Sequence, residues 1–402
     1  MTEIKFLYLI DPVIKGFDGH YFNYANSIFK VLNKRGIEFK LFADEKCDSR
    51  IKESMPFCSV FHKKSLPHVF FIHSAILDLL YHWLRRIKEW RNVCNIITQP
   101  NGLVFIDNCF AIELLCLSIG ILLSQKRRLK TFIIMLRVSY YNTRLNRWKD
   151  GAYKQKLALI VLNLLSKFNR IIFVSDSEIL ASRYSQFIKN PIYIVPIPHT
   201  LSSICQNVVQ NRPTIRFSNL GFGSYFKGIT YLVKAIQELH HSGLIKNVKF
   251  TIQCYQGINH DQKIDTAICD LKKLNCNAIK IIEQPLNEEE YIKEFDEADV
   301  LLFPYLADRG ECTSGPFAEA LAAGKPVIVT RGTWLSNQLE KFNSGGVICK
   351  SEDSRDLALS ITKVKDGFIE HKSKSENAKI FWNKIHNADN FLKTIESIVI
   401  SD

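Results

Sequence analysis

Two glutamates, Glu311 and Glu319, flank a run of small and polar residues, and this spacing could bind a sugar linked to a phosphate. Ser314 or Gly315 suits the N-cap of a helix, and Pro316 suits the first turn, where its missing N–H costs little. The free amides and partial positive charge of a helix N-terminus can bind a phosphate. Carboxylates repel a pyrophosphate but accept hydrogen bonds from sugar hydroxyls. The pattern therefore predicts a nucleotide-sugar site, with phosphates on the amides and hydroxyls on the carboxylates.

The residues that follow predict the element that positions this site. Ala318 and the residues 320–323 are good helix formers. Gly324 suits a left-handed residue that ends the helix, and Pro326 prevents its continuation. Residues 327–329 (VIV) form a short apolar run of the kind found in buried parallel strands. The stretch therefore predicts a loop, a short helix, a stop and a buried strand, in that order.

Glu311, seven intervening residues and Glu319, followed by ALAAGKPVI, closely resemble the donor-site motif of retaining glycosyltransferases of the GT-B fold. The resemblance is strong over 300–330, moderate over 215–235 and limited to architecture over 1–200. It implies an α/β fold with two Rossmann-like domains facing a cleft and a C-terminal helix crossing back to the first domain. Either glutamate alone would also fit an ordinary capped helix with solvated carboxylates.

The resemblance also implies roles for individual residues. Glu319 is expected to accept hydrogen bonds from ribose hydroxyls, and Glu311, as a catalytic residue, from hydroxyls of the donor sugar. Amides around Thr313, Ser314 and Gly315 are expected to bind the diphosphate. Such groups stabilise the charge that grows on the leaving diphosphate, which is usually the largest contribution to catalysis.

The stretch RFSNLGFGSYFKG predicts a strand, a glycine loop that includes Gly221, and a helix that begins near Gly228. Members of the family carry a lysine–glycine pair here, so Lys227 is expected to neutralise the donor phosphates. They commonly carry an arginine directly after the glycine of the strand, where this chain has Phe222. Arg309 is expected to supply the missing cation. A solvated surface lysine is the alternative reading of Lys227.

The first half of the chain predicts a doubly wound parallel sheet, beginning with strands at 4–10 and 37–42. Further strands are expected at 94–98 and 131–138. In the GT-B resemblance, Gly19 lies in the glycine loop near the donor phosphates, and His20 faces the acceptor, although a structural histidine fits as well. Arg137 is expected at the carboxyl end of its strand, as a contact for the acceptor.

Charge is distributed unevenly along the chain. The net charge is +13, and residues 1–200 carry 29 Lys and Arg against 15 Asp and Glu. Aromatic and basic residues over 66–92, and the apolar segment 109–124 followed by KRRLK, suit a membrane interface. The apolar segment is shorter than the ~20 residues that a membrane span needs. The basic half therefore predicts an anionic membrane surface as a partner, with core packing and simple solubility as alternatives.

The eleven cysteines form no C-x-x-C pair, and the first residues do not resemble a signal peptide. They are interpreted as reduced thiols, which predicts a cytoplasmic protein held peripherally at the inner face of the cell membrane. Neither a disulfide framework nor a zinc site is expected.

The sequence thus predicts an N-terminal acceptor domain over 1–200, joined by the terminal helix 385–402, a linker near 200–213 and a donor domain over 212–384. The resemblance implies that the protein transfers a sugar from a nucleotide-sugar to a hydroxyl of a lipid-linked saccharide or surface polysaccharide intermediate. The anomeric configuration of the sugar is expected to be retained. No metal or other cofactor is expected, because Lys227, Arg309 and the helix dipole supply positive charge. A GT-B epimerase, a non-catalytic GT-B binding module and a nucleic-acid-binding protein are the alternatives. No nucleic acid partner is expected, since the basic residues follow no recognised motif.

Overall fold

The structure is a computed structural model that describes residues 4–16, 20–62, 72–99, 102–109, 111–127, 130–137, 141–142, 147–148, 152–198, 213–257 and 260–401. It contains two parallel sheets with helices on both faces, so the predicted class of two Rossmann-like α/β units is confirmed. Residues 199–212, which include most of the expected linker, lie outside the described residues. The domain limits stay a prediction.

The first unit is built on a seven-stranded parallel sheet. Its strands are β1 (Phe6–Ile10), β2 (Glu38–Asp44), β3 (Phe57–Phe61), β4 (Gly102–Ile106), β5 (Lys130–Met135), β8 (Arg170–Ser175) and β9 (Ile192–Ile194), while β6 (Tyr141–Asn142) and β7 (Arg147–Trp148) form a separate antiparallel pair. The order in the sheet is β3-β2-β1-β4-β5-β8-β9. Every residue of β4 and β5 is buried, as is typical of parallel strands covered on both faces.

The helices of the first unit form two layers. They are α1 (His20–Lys34), α2 (Ser49–Ser54), α3 (Ile72–Ile96), α4 (Ala111–Leu123), α5 (Tyr153–Leu165) and α6 (Glu178–Tyr184). On one face of the sheet, α3, α4 and α5 pack around Trp90, Leu117 and Leu162. On the other face, α1 packs through Ala25 and Ile28.

The second unit is built on a six-stranded parallel sheet. Its strands are β10 (Ile215–Asn219), β11 (Val248–Gln253), β12 (Ile279–Ile282), β13 (Val300–Phe303), β14 (Val327–Thr330) and β15 (Gly346–Cys349), in the order β12-β11-β10-β13-β14-β15. Its helices and those that follow are α7 (Ile229–His241), α8 (Gln262–Lys273), α9 (Glu288–Glu297), α10 (Gly315–Ala322), α11 (Trp334–Lys341), α12 (Ser354–Asp366), α13 (Phe368–Ile385) and α14 (Ala388–Ser401). Gly324, with φ of 68°, supplies the predicted left-handed stop after α10.

The last two helices join the units. Trp382 of α13 packs in the core of the second unit, whereas Phe391 of α14 packs in the core of the first. The ring of Phe391 lies 5.8 Å from that of Tyr24 and 5.5 Å from that of Phe105. The expected crossing of the C-terminal helix to the first unit is therefore confirmed. Between the helices, His386 Nδ1 accepts a 3.1 Å hydrogen bond from the Ile197 amide.

The strand predicted at 94–98 is wrong. Residues up to Ile96 continue α3, and the strand that follows is β4. Trp90, Val93 and Cys94 are buried at helical spacing, so they belong to the inner face of a helix, and the buried Ile97 follows directly after its end. Strand and helix are hard to distinguish in short apolar runs.

Neither the apolar segment 109–124 nor another part of the described chain forms a helix long and apolar enough to cross a membrane. The segment forms α4, whose central residues are buried between α3, α5 and the sheet. The central part of this segment is therefore a buried helix, in agreement with the core-packing alternative.

Candidate active site

A cavity of about 720 Å³ lies between the two units. Asp107 and Asp176 line it from the ends of β4 and β8, and Gly221 and Tyr305 line it from the loops after β10 and β13. In each sheet the strand order reverses at a central pair, β1 with β4 and β10 with β13. Open α/β sheets bind ligands in the crevice at the carboxyl ends of such strands. The cavity is therefore the candidate active site.

A second cavity, of about 690 Å³, lies at the opposite edge of the first sheet. Its walls include Glu38, Pro56 and Phe57, which lie at the amino ends of β2 and β3. Ligand sites of this architecture form at the carboxyl ends instead. The interdomain cavity remains the better candidate.

Glu319 is buried in the second turn of α10 and lines the interdomain cavity. Its carboxylate accepts a 2.6 Å hydrogen bond from the hydroxyl of Tyr291. Burial raises the pKa of Glu319 to about 7, and this hydrogen bond opposes the rise. The side chain is therefore poised to change charge near neutral pH.

The first turn of α10 presents backbone groups to the cavity. Ser314 occupies the N-cap position with an extended backbone, and Pro316 lies in the first turn, as predicted. The hydroxyl of Ser314 lies 3.0 Å from that of Tyr305 and makes no capping hydrogen bond to the helix amides. Thr313, Ser314 and Gly315 all line the cavity. The arrangement suits an anion at the amino end of the helix.

Lys227 lies beside this helix turn, in the cavity wall. A Cβ atom added to Gly221 would lie 3.2 Å from the Lys227 ammonium and 3.9 Å from Pro316 Cγ, so the three residues surround one point. No described carboxylate forms an ion pair with Lys227, and burial lowers its pKa to about 8. An unpaired cation beside a helix N-terminus is a strong site for phosphate.

Gly228 allows the turn that carries Lys227 into the wall. Its φ is 73°, in the left-handed region, and a Cβ atom at this position would lie 1.9 Å from the Pro304 carbonyl oxygen. Only glycine fits both the conformation and the close approach of the two loops. The loops after β10 and β13 are thereby held together at the cavity.

Glu311 is buried, but its side chain does not line the cavity. Its carboxylate accepts a 3.1 Å hydrogen bond from Arg183 of α6, and its backbone carbonyl accepts a 2.6 Å bond from Ser177. Thr313 donates a 3.1 Å bond to Asp176. These three hydrogen bonds are among the contacts that attach the loop before α10 to the first unit. The structure does not bring the carboxylates of Glu311 and Glu319 together, and a role of Glu311 toward the donor sugar stays a prediction.

Arg137 lies two residues after β5 and lines the cavity, but its charge is already balanced. Its guanidinium bonds both carboxylate oxygens of Asp107, at 2.5 and 2.9 Å, and lies 2.6 Å from Asp176. It also lies 4.6 Å from the centre of the Tyr24 ring. Although burial opposes its charge, the two aspartates raise the pKa of Arg137 further. The guanidinium is thus hydrogen-bonded to two carboxylates of the protein, those of Asp107 and Asp176.

Asp11 belongs to the same cluster of charged groups. It accepts a 2.7 Å hydrogen bond from the side-chain amide of Asn108. Burial, with repulsion from Asp107, raises the pKa of Asp11 to about 7. Among the described residues that line this side of the cleft, Arg137 is therefore balanced by Asp107 and Asp176, with Asp11 close to them.

The remaining predicted site residues fall on parts of the chain that are not fully described. Gly19 lies outside the described residues. His20 begins α1 and Arg309 ends a short 3₁₀ turn over Ala307–Arg309, but the side chains of both lie outside what the structure describes. Their roles stay predictions.

Sequence reasoning missed Asp11, Asp107 and Asp176, although they share a simple signal. Asp11 directly follows β1, Asp107 directly follows β4, and Asp176 directly follows β8. An aspartate that ends an apolar run would have marked all three. Asp107 was missed because the strand before it was predicted at 94–98, whereas β4 spans Gly102–Ile106. Tyr291, on α9, shows no such pattern.

Comparisons with known proteins agree with this geometry. Residues 216–366 match the family model described as glycosyl transferases group 1. A comparison with curated proteins gives no match.

Solved structures resemble the chain along its whole length, at low sequence identity. Trehalose-6-phosphate synthase OtsA has a TM-score of 0.72 at 11% identity, covering 99% of both chains. HepE from Anabaena, in complex with UDP and glucose, has a TM-score of 0.71 at 11% identity, covering 100% of both. Sucrose-phosphate synthase from Thermosynechococcus elongatus has a TM-score of 0.70 at 13% identity, covering 98% of both. These likenesses establish the fold of the chain as GT-B.

Proposed function

We propose that this glycosyltransferase, which carries a group 1 domain on a GT-B fold, transfers a sugar from a nucleoside-diphosphate sugar to a hydroxyl acceptor with retention of anomeric configuration. The observation that carries the proposal is Lys227, which lies beside the first turn of α10 and forms no ion pair with a described carboxylate. A cation and helix amides at one point are complementary to a diphosphate, both in the bound donor and as it leaves.

The donor is proposed to lie across the second unit. Its diphosphate contacts Lys227 and the amides of residues 313–315, and its ribose hydroxyls donate to Glu319. HepE, a structural neighbour, is known with UDP and with UDP-glucose, which supports a uridine nucleotide as the first donor to test. Glu311 would reach the donor sugar only by exchanging Arg183 for a sugar hydroxyl.

The acceptor hydroxyl is proposed to enter from the first unit. Because Arg137 is neutralised by Asp107 and Asp176, this side favours a hydroxyl-bearing saccharide over a free phosphate group. A lipid-linked saccharide or a surface polysaccharide intermediate at an anionic, cytoplasmic membrane face fits the basic charge of residues 1–200.

A metal ion is not proposed as a requirement for transfer. Lys227 and the amino end of α10 supply positive charge to the leaving diphosphate, and Arg309 is the further candidate. Transfer should therefore continue when a chelator is added to the assay, and strict dependence on added Mg²⁺ would contradict this part of the proposal.

A thermal-shift panel of nucleoside diphosphates and nucleotide-sugars tests the donor site. A ligand at about 100 times its Kd should add roughly 2.7 kcal/mol to the free energy of unfolding. Glu319→Gln should reduce the shift, whereas Glu340→Gln, at an exposed position of α11, should leave it unchanged. No shift with any donor would refute the proposed site.

Once the donor is known, the anomeric configuration of the product can be read from its proton NMR coupling. An α-linked product from an α-linked donor is expected. An inverted product would reject retention while leaving the assignment of the donor site intact.

A further inference from the structure

The outer helices of the first unit expose an apolar surface that catalysis does not use. On α5, the side chains of Tyr153, Leu157, Ile160, Leu164 and, just past its end, Phe168 are all exposed. Their exposed fractions run from 48% to 67%. Spacings of three and four residues place all five on one stripe of the helix. The opposite stripe, with Ala158 and Leu162, packs into the core.

A second exposed stripe runs along α3. Leu80, Tyr81 and Leu84 lie on it, followed at helical spacing by the exposed cations Lys88 and Arg91. Lys154 at the start of α5 lies 5.5 Å from the centre of the ring of Trp83, in the middle of α3, so the amino end of α5 lies beside the stripe of α3. We call the two stripes together the α3–α5 surface.

The end of α4 extends the same layer. Leu122 and Leu123 are 45% and 51% exposed, and the exposed Lys126 follows them. Because α4 contacts both α3 and α5, its end lies in the same layer of helices.

Among the described residues, the exposed charges that border the two apolar stripes are positive. Lys167 borders the stripe of α5, as Lys88 and Arg91 border that of α3, and α5 contains no acidic residue. The acidic residues Glu89 and Glu113 of the neighbouring helices are engaged by Arg86, so they do not offset the exposed cations. Scattered single apolar residues are ordinary on a protein surface, but a contiguous patch with a cationic border marks an interaction site.

We propose that the α3–α5 surface docks the protein onto an anionic phospholipid bilayer, with the apolar stripes entering the interface and the lysines contacting lipid head groups. Amphipathic helices with aromatic and aliphatic residues on one side and lysines at its border bind in this way. The proposal deepens the proposed function, on which it rests for the lipid-linked acceptor.

A second copy of the chain fits the surface less well. A two-fold contact places the same patch on both partners, so the cations that border the stripes would face the same cationic border of the other copy, and α5 offers no acid to pair with them. An anionic bilayer is complementary to both the apolar stripe and its border.

The location of the surface suits a lipid-linked substrate. In a parallel sheet, the helix that follows a strand begins near the carboxyl end of that strand. The amino end of α5 therefore lies at the same edge of the first sheet as Asp107 and Arg137. A lipid-linked saccharide held in the docked bilayer would meet the cleft from this edge.

Vesicle co-sedimentation of the full chain tests the proposal. Vesicles of phosphatidylcholine alone are compared with vesicles in which about a third of the lipid is phosphatidylglycerol. Binding is expected for the anionic vesicles and should weaken as salt is raised. Absence of sedimentation with the anionic vesicles at low salt would overturn the proposal.

Paired variants separate the two parts of the surface. Ile160→Gln with Leu164→Gln should weaken vesicle binding roughly tenfold or more, because two apolar side chains no longer enter the interface. Lys88→Gln with Lys167→Gln should weaken binding by about fivefold for each lysine. Ile380→Gln with Phe381→Gln removes two apolar groups that are more exposed, from α13, and should leave vesicle binding unchanged.

Two further measurements make each outcome decisive. Donor-induced thermal shifts should be the same in the α5 variants as in the native chain, so loss of docking and failure of the donor site are distinguishable. Native mass should be that of a monomer. A dimer that the Ile160 and Leu164 variant dissociates, with unchanged vesicle binding, would identify a second copy as the occupant and overturn the membrane proposal.

Discussion

The two sides of the cleft are built from similar parallel sheets but differ in whether their buried cation forms an ion pair with a described carboxylate. On the second unit, Lys227 lies beside a helix N-terminus without an ion pair to a described carboxylate. On the first unit, Arg137 is held by Asp107 and Asp176. An unpaired cation is costly to bury and becomes useful when an anionic ligand arrives. A paired cation stabilises the fold and leaves its surroundings suited to neutral hydroxyl groups.

The largest effect is expected when the ion pairs of Arg137 in the first unit are removed. Arg137→Met should lower the free energy of unfolding by about 3–5 kcal/mol, because it leaves Asp107 and Asp176 buried without a counter-charge. Urea denaturation measures the loss. Adding Asp107→Asn to the Arg137→Met chain should recover part of it, and a double variant as unstable as the single one would contradict the role assigned to Arg137.

The second largest effect is expected when the charge of Lys227 in the second unit is removed. Lys227→Met should lower kcat by about 10²–10³ because the leaving diphosphate loses a charged contact. Stability should stay the same or rise, since a charge in the cavity wall has been removed. Lys249→Met, at an exposed position of β11, is the control and should change neither quantity. A large loss of stability in Lys227→Met would mean that this lysine is structural, like Arg137.

The pH dependence of donor binding sharpens the comparison. Glu319, with a pKa of about 7, should accept ribose hydrogen bonds best when ionised, and Lys227, with a pKa of about 8, should bind phosphate only when protonated. Donor affinity should therefore fall below about pH 7 and above about pH 8, by up to about tenfold per pH unit on each side.

Calorimetric titrations across pH, with three variants, assign the two limbs. Glu319→Gln should flatten the acidic limb, and Lys227→Met the basic one. Tyr291→Phe should move the acidic limb to higher pH, because the lost hydrogen bond lowers the pKa of Glu319 in the native chain. A flat native profile would exclude both groups as determinants of donor affinity.

The smallest effect concerns the contact between the sides. Thr313→Val should cost about 1 kcal/mol of unfolding free energy, as expected for the single hydrogen bond to Asp176. Thr266→Val is a matched control, because its hydroxyl bonds only the backbone of its own helix within the described contacts. Equal effects in the two variants would show that the contact between the units contributes nothing measurable.

The difference between the two sides also explains where sequence reasoning succeeded. Lys227, Gly228 and the residues around Ser314 lie at turns and helix ends. Structure at such positions can be predicted because it depends on the types of a few neighbouring residues. The stop at Gly324 was predicted for the same reason, and the observed φ confirms it. Arg137 was correctly placed near the end of a strand, but its partners come from strands 30 and 39 residues away. A pairing over such distances leaves no local pattern.

The sequence by itself determined the two α/β units, the short helix with its cap and stop, and the donor-site motif, because these depend on residue types at fixed spacings. Only the tertiary structure decided that Glu311 faces Arg183, that Arg137 is neutralised, and that apolar side chains of α3 and α5 share one exposed face. These facts depend on which strands and helices become neighbours. Neighbour relations follow from the packing of the whole chain, and no short stretch of residues contains them.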